Sequence, residues 1–179
     1  MVRAFVAIDL TEEIRNAFLE LQEPLRGIRG GLRVVDPALL HMTLKFLGDV
    51  SEEAVPRIVS ALQTVSFSPY EIHIGRISSN SRHRPRVIWA DVDDDGRSAE
   101  LAGVIEETLE PLGFAREKRP FRPHITVARV KTFHPAIPSV LESLSSWEAG
   151  SMEVSRFFLK KSTLTPEGPI YETMAEVLV

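Results

Sequence analysis

His41-Met42-Thr43-Leu44 and His124-Ile125-Thr126-Val127 both read His-x-Thr-x, with an apolar residue at each x. They lie 83 residues apart (124 minus 41), close to half of the 179-residue chain. In an extended strand, residues two apart point to the same face. Each His is therefore expected beside its own Thr on one surface, with Met42, Leu44, Ile125 and Val127 turned into a core. Two such strands facing each other make a pocket holding two imidazoles and two hydroxyls. That is a general acid/base pair with hydrogen-bond donors next to it.

The likeness between the halves extends beyond the motif. The first half opens on Arg3-Ala4-Phe5-Val6-Ala7-Ile8-Asp9, then shows helical spacing through Ile14, Phe18 and Leu21 to Glu23-Pro24-Leu25. The second reads Arg86-Val87-Ile88-Trp89-Ala90-Asp91-Val92, then Leu101, Val104, Ile105, Thr108 and Leu109 to Glu110-Pro111-Leu112. Each unit reads strand, helix, loop, His-x-Thr strand. With two copies only, this predicts a duplicated two-lobe domain rather than a solenoid.

A pass along the chain predicts an α+β fold. Residues 2–9 form a strand, and Thr11 caps a helix with Glu12 and Glu13 in its first turn that fades near Pro24 and Gly27. Leu32–Val35 and Met42–Leu47 are strands separated by Pro37, Gly48-Asp49 is a turn, and Ser51-Glu52-Glu53 starts a helix through Val55, Ile58, Val59 and Leu62. Tyr70–Ile77 alternates as a strand, and 78–85 is a polar loop. A helix around 97–112, a strand around 124–130, a helix Pro138–Leu144 and strands near 152–164 and 170–178 complete the reading. Met152, Val154, Phe157, Phe158 and Leu159 break the alternation within the first of those last strands.

Composition constrains the chemistry less. Hydrophobic residues are 44% and charged residues 26%, ordinary for a soluble globular chain. No apolar run approaches the roughly 18 residues needed to span a membrane, and Asp9, Glu12 and Glu13 interrupt the N-terminal stretch too early for a signal peptide. With no cysteine, thiolate zinc sites and disulfides are excluded, and a cytoplasmic location is expected. The net charge of −4 is unevenly spread. Arg76, Arg82, Arg84 and Arg86 fall in one segment without an acid. Arg116, Lys118, Arg119, Arg122, Arg129 and Lys131 fall in another that encloses His124. A local basic patch on an acidic protein suits a polyanionic substrate.

Other readings of paired histidines fit less well. A zinc site needs a third or fourth ligand, yet His-Glu-x-x-His is absent and neither motif has an acid within two residues of its His. There is no Gly-x-Ser-x-Gly elbow and no Gly-x-x-x-x-Gly-Lys loop. His73, His83 and His134 lack the Thr partner and are read as structural or surface residues.

His41-Met42-Thr43-Leu44-Lys45-Phe46-Leu47-Gly48 and Pro123-His124-Ile125-Thr126-Val127-Ala128-Arg129 resemble the two signature motifs of the two-histidine phosphoesterase superfamily. The strands beginning at Arg3 and Arg86 resemble, within it, the bacterial and archaeal RNA 2′,3′-cyclic phosphodiesterases, also called 2′-5′ RNA ligases. The resemblance covers essentially the whole chain. It implies one domain over 1–179, bilobal with pseudo-twofold symmetry, antiparallel sheets lining a central cleft and helices outside. It implies opening of a terminal 2′,3′-cyclic phosphate to a 2′-phosphomonoester without metal or cofactor, with 2′-5′ ligation as the related reversible activity. It implies His41 as proton donor, His124 as acceptor, and Thr43 and Thr126 as donors to phosphate. Phe46 is expected to stack on the terminal base, and Arg129 and Lys45 to bind substrate. The expected partner is RNA with a 2′,3′-cyclic phosphate end, tRNA-derived ends among them. No membrane is expected, and a monomer is.

Two alternatives share these residues. A phosphodiesterase acting on a small nucleotide, such as a 2′-5′ oligoadenylate or a cyclic phosphate metabolite, would need the same pair. A non-catalytic module binding RNA ends would use the basic cleft without cycling protons.

Overall fold

The computed structural model describes residues 1–178. Nine strands form two antiparallel sheets among those residues. The first sheet contains β1 (Val2–Asp9), β3 (His41–Val50), β8 (Arg156–Thr165) and β9 (Gly168–Leu178), in the order β3-β1-β8-β9. The second contains β2 (Leu32–Val34), β4 (Tyr70–Ser79), β5 (Val87–Asp93), β6 (His124–Val130) and β7 (Glu148–Val154), in the order β2-β6-β5-β4-β7. The duplication is visible in that order. Each motif strand pairs with the strand that opens its own half, β3 with β1 and β6 with β5.

Helices connect the halves crosswise. Helices α1 (Glu12–Ala17) and α2 (Leu19–Arg26) follow β1 in sequence but pack on β7 and β2 of the other sheet. Helix α3 (Val55–Leu62) packs on α4 (Arg97–Leu109), which follows β5 but packs on β3 of the first sheet. The short α5 (Ile137–Ser143) precedes β7. One continuous apolar core includes Ile8, Phe18, Met42, Ile88, Ile125 and Phe157.

Several predicted boundaries shift for identifiable reasons. The first helix divides at Phe18, and its second half runs through Pro24 to Arg26. Thr11 is its N-cap, accepting from the Ile14 amide as expected. Helix α4 ends at Leu109, followed by a 3₁₀ turn over Glu110–Leu112. Gly48-Asp49 is not a turn: β3 continues to Val50, because Gly48 at φ 73° lets the strand pass an irregularity opposite Ala4 and Phe5. The predicted strand near 152–164 is two strands, β7 and β8, in different sheets. The broken alternation from Val154 to Phe157 marks the chain crossing from one sheet to the other.

The motif strands depart from simple alternation in the same place. In β3, Val6 pairs with Lys45 and Ala7 with Thr43, so Leu44 is an extra residue. In β6, Ile88 pairs with Ala128 and Trp89 with Thr126, so Val127 is extra. Such a bulge reverses the phase of the strand beyond it. His41 and Thr43 keep the cleft face, Leu44 and Lys45 are both buried, and Phe46 returns to the cleft. In β6, His124 and Thr126 face the cleft, Val127 and Ala128 are buried, and Arg129 returns to it.

Lys45, expected to bind substrate, lines the cleft floor but is held in an internal ion pair. It is 3% exposed, and its Nζ donates to Glu106 Oε1 at 2.7 Å and to the Ala115 carbonyl at 2.9 Å. The other Glu106 oxygen accepts from the Glu117 amide at 2.8 Å. This buried pair fastens α4 and the start of the basic loop to the first motif strand. Removing one partner leaves a buried charge unmatched, so Glu106→Ala should cost about 3–5 kcal/mol. Lys45→Met together with Glu106→Leu should recover most of that, read from urea unfolding midpoints. A Glu106→Ala cost below ~1 kcal/mol would mean the pair behaves as a solvated one.

Candidate active site

Both motif histidines line one cleft of about 1720 Å³ between the sheets, together with Thr43, Thr126, Phe46 and Arg129. Their orientation is set by the same local device. His41 Nδ1 lies 2.8 Å from the Leu39 carbonyl, and His124 Nδ1 lies 2.7 Å from the Arg122 carbonyl, each two residues upstream. A carbonyl only accepts, so each Nδ1 carries hydrogen. Each Nε2 is left free to take or give a proton.

Each His also stands opposite an acid across its β-ladder, Asp9 for His41 and Asp91 for His124. Residues directly opposite in antiparallel strands share a face. A cation from the next strand holds each acid. Lys160 Nζ meets Asp9 Oδ2 at 2.7 Å, and Arg76 Nε meets Asp91 Oδ2 at 2.8 Å. Asp91 also accepts from Ser78 Oγ at 2.7 Å and Trp89 Nε1 at 2.9 Å. Burial alone would raise the Asp91 carboxyl, but these three hydrogen bonds outweigh it and hold it below the usual range.

Beyond this frame the two sites differ. His41 has Phe5 and Tyr171 as ring neighbours, with centroids at 5.0 and 5.2 Å. Burial pushes its pKa below the ordinary value, and Lys160 and Arg15 push the same way. The Leu39 hydrogen bond and Asp9 oppose them without cancelling the effect. His124 has the Trp89 ring at 5.4 Å, and the Arg122 guanidinium lies 5.7 Å from the centroid of that ring.

Phe46 is 64% exposed on the cleft wall, 6.2 Å from Phe5, in a position where an apolar side chain can meet a base. Of the two basic segments, the second reaches the cleft through Arg116, Arg119, Arg122 and Arg129. The first does not: Arg76 is committed to Asp91, and neither Arg82, Arg84 nor Arg86 lines the cleft. Arg116 is likewise held by Glu110 and Glu107. His73, His83 and His134 lie outside the cleft. Sequence reading missed Arg3, Arg33 and Tyr171 on the cleft wall, and Lys160 behind His41. Only strand register brings these to the motifs, and no local pattern signals it. Among the described residues, no three His, Cys, Asp or Glu side chains gather as metal ligands, and no helix is long and apolar enough to cross a membrane.

The family model described as LigT like Phosphoesterase matches residues 8–89 and 92–171, each stretch holding one motif. The chain belongs to this family. A relative from Archaeoglobus fulgidus, named RNA 2′,3′-cyclic phosphodiesterase, is 40% identical over 174 residues, covering 97% of this chain and 98% of its own. One of the same name from Methanothermobacter thermautotrophicus is 36% identical, over 97% of this chain and 96% of its own. Among solved structures, a Thermus thermophilus protein aligns with TM-score 0.82 and 30% identity, over 98% of this chain and 97% of its own. E. coli LigT complexed with 3′-AMP aligns with TM-score 0.82 and 25% identity, over 99% and 98%. The LigT-like fold accounts for the two sheets and the doubled motif together.

The depressed His41 pKa has a consequence for stability. In the unfolded chain a His titrates near about 6.5, above the folded value. The unfolded state then takes up its proton first as pH falls. This contribution to stability is complete above the unfolded value and declines through it on acidification. Between about pH 8 and about pH 5.5, the wild type should lose more stability than His41→Gln, measured by urea midpoints. Equal losses would contradict the desolvation of His41.

Proposed function

We propose that this LigT-like phosphoesterase opens RNA 2′,3′-cyclic phosphate ends to 2′-phosphomonoesters by metal-independent acid/base catalysis, with 2′-5′ ligation as the related reversible reaction. The observation that carries the reading is the pair of Nδ1-anchored imidazoles with free Nε2 atoms on one cleft. In this reading one apolar core makes residues 1–179 a single working unit, acting as a monomer in the cytoplasm, with tRNA-derived ends among its substrates.

The chemistry follows from the groups present. Water attacks phosphorus and gives its proton to neutral His124, while the bond from phosphorus to the 3′-oxygen breaks. His41, protonated, supplies the proton that oxygen needs. Thr43 and Thr126 donate to the non-bridging oxygens, where charge accumulates in the transition state. Phe46 stacks on the terminal base. A buried imidazole beside Lys160 releases its proton readily, which suits a donor, and the anionic substrate favours its protonated form while bound. The relatives named RNA 2′,3′-cyclic phosphodiesterase support RNA as the substrate class. So does a cleft larger than the roughly 300–1,000 Å³ typical for one small ligand.

The decisive experiment incubates the protein, with chelator present, with an RNA ending in a 2′,3′-cyclic phosphate and identifies the product isomer. A 2′-phosphomonoester is expected, and a 3′-phosphomonoester or dependence on added metal would overturn the reading. His41→Ala and His124→Ala should each lose about 10²–10⁴-fold in kcat while staying folded.

The rate should also follow a bell-shaped pH profile. Because the donor pKa is depressed in the free protein and raised by bound phosphate, the alkaline limb of kcat should lie at higher pH than that of kcat/KM. Coincident limbs, with chemistry rate-limiting, would show that His41 is not the donor.

A further inference from the structure

Arg33 on β2 and Arg129 on β6 are direct partners in the antiparallel ladder, so their side chains leave the second sheet side by side into the cleft. Like charges directly opposite each other destabilise a sheet. From the facing sheet, Arg3 on β1 and Tyr171 on β9 line the same stretch. The half-buried Tyr171 hydroxyl lies in the field of Arg129, Arg3 and Arg33. None of the ion pairs formed among the described residues includes any of these three arginines. Asp49 is the register partner of Arg3, and Asp36 and Glu167 line the same cleft, but none of these acids forms an ion pair with the three arginines.

The backbone makes room for this cluster. Gly168, at φ 139°, opens β9, and a Cβ there would stand 3.2 Å from the Arg33 guanidinium. The β8–β9 turn thus reaches across the cleft to β2. Beside it, Leu164 and Ile170 are 67% and 54% exposed on the cleft wall. Three cations from two sheets converge without an ion-pair partner among the described residues, next to an apolar surface. The two histidines and two threonines require one phosphorus, and this cluster is additional to them.

We propose that Arg3, Arg33 and Arg129, gathered about Tyr171, form a second phosphate site for the phosphodiester on the 5′ side of the terminal nucleotide. The inference rests on the reading of the cleft as a cyclic-phosphate site and specifies its substrate as an oligonucleotide end rather than a nucleoside cyclic phosphate. Leu164 and Ile170 then offer apolar surface to the preceding base.

The test is equilibrium binding of two probes to the full chain over a salt series: a nucleoside 3′-phosphate and the corresponding 3′,5′-bisphosphate. The bisphosphate should bind at least about tenfold more tightly at low salt. Its log–log salt slope should be steeper by roughly 0.7 for the extra phosphate neutralised. Arg3→Gln with Arg33→Gln should abolish most of that advantage and leave the 3′-phosphate within about twofold. Its unliganded melting temperature should be equal or higher, because the like-charge contact is relieved. Equal affinities and slopes for the two probes in the wild type would overturn the proposal, and that comparison needs no variant to fold. So would a folded double variant that keeps the advantage. A wild type that shows the two-probe difference yet opens no cyclic phosphate would support this site and sink the catalytic reading instead.

Discussion

The active-site geometry depends on the backbone pairing of each motif strand with the strand that opens its half. Asp9 faces His41 and Asp91 faces His124, and a bulge three residues past each His absorbs one residue. A one-residue slip would turn both imidazoles into the apolar core. The apolar residues between them resist that slip, since Met42, Leu44, Ile125 and Val127 are all buried. The bulge then gives the site its reach along the strand. Without it, the residue five beyond each His would point to the core, because five is odd. With it, Phe46 and Arg129 occupy equivalent places on opposite walls of the cleft. One wall thereby presents a flat apolar ring and the other a guanidinium.

The duplicated frame provides symmetry, and its surroundings remove it. Both histidines share a carbonyl anchor, a cross-strand acid and a cation behind that acid. What differs is packing. Phe5 and Tyr171 flank His41 and exclude water from it, while Trp89 and Arg122 border His124. A reaction that takes a proton at one oxygen and supplies one at another needs two groups with separated proton affinities. Here, burial around one copy of a repeated motif lowers the proton affinity of His41, with no change in the motif itself.

The sequence carried the duplication, the motif strands and the four catalytic candidates, because each rests on local periodicity. Phe46 entered only through family resemblance, since simple alternation places it with Met42 and Leu44, whereas Arg129 also stood out within the basic segment around His124. Alternation likewise puts Lys45 with His41 and Thr43, and a bulge that no Gly or Pro announces turns its ammonium toward Glu106. The strand near 152–164 was merged because both sheets bury their apolar residues in one core. Composition does not change where the chain passes between them. Arg3 and Arg33 were invisible as a pair, lying on strands from different sheets.

The electrostatics of the cleft explain how an acidic chain can attract a polyanion. Its net charge of −4 averages over two kinds of arginine. Arg76 and Arg116 stand in segments that read as basic, yet each is matched by carboxylates and contributes little field. Arg3 and Arg33 lie in unremarkable stretches and Arg129 near the end of the second basic segment, yet from two sheets they converge on one cleft, outside every ion pair among the described residues. Charge in a cleft with low-dielectric sides is felt more strongly than the same charge on an open surface. Placing Arg33 opposite Arg129 costs the unliganded fold some stability, and an arriving phosphate removes that repulsion as it binds. Selection for binding therefore acts against selection for a quiet sheet at this point. The cost is bearable because β2 is a three-residue edge strand, where weakened pairing disturbs little else.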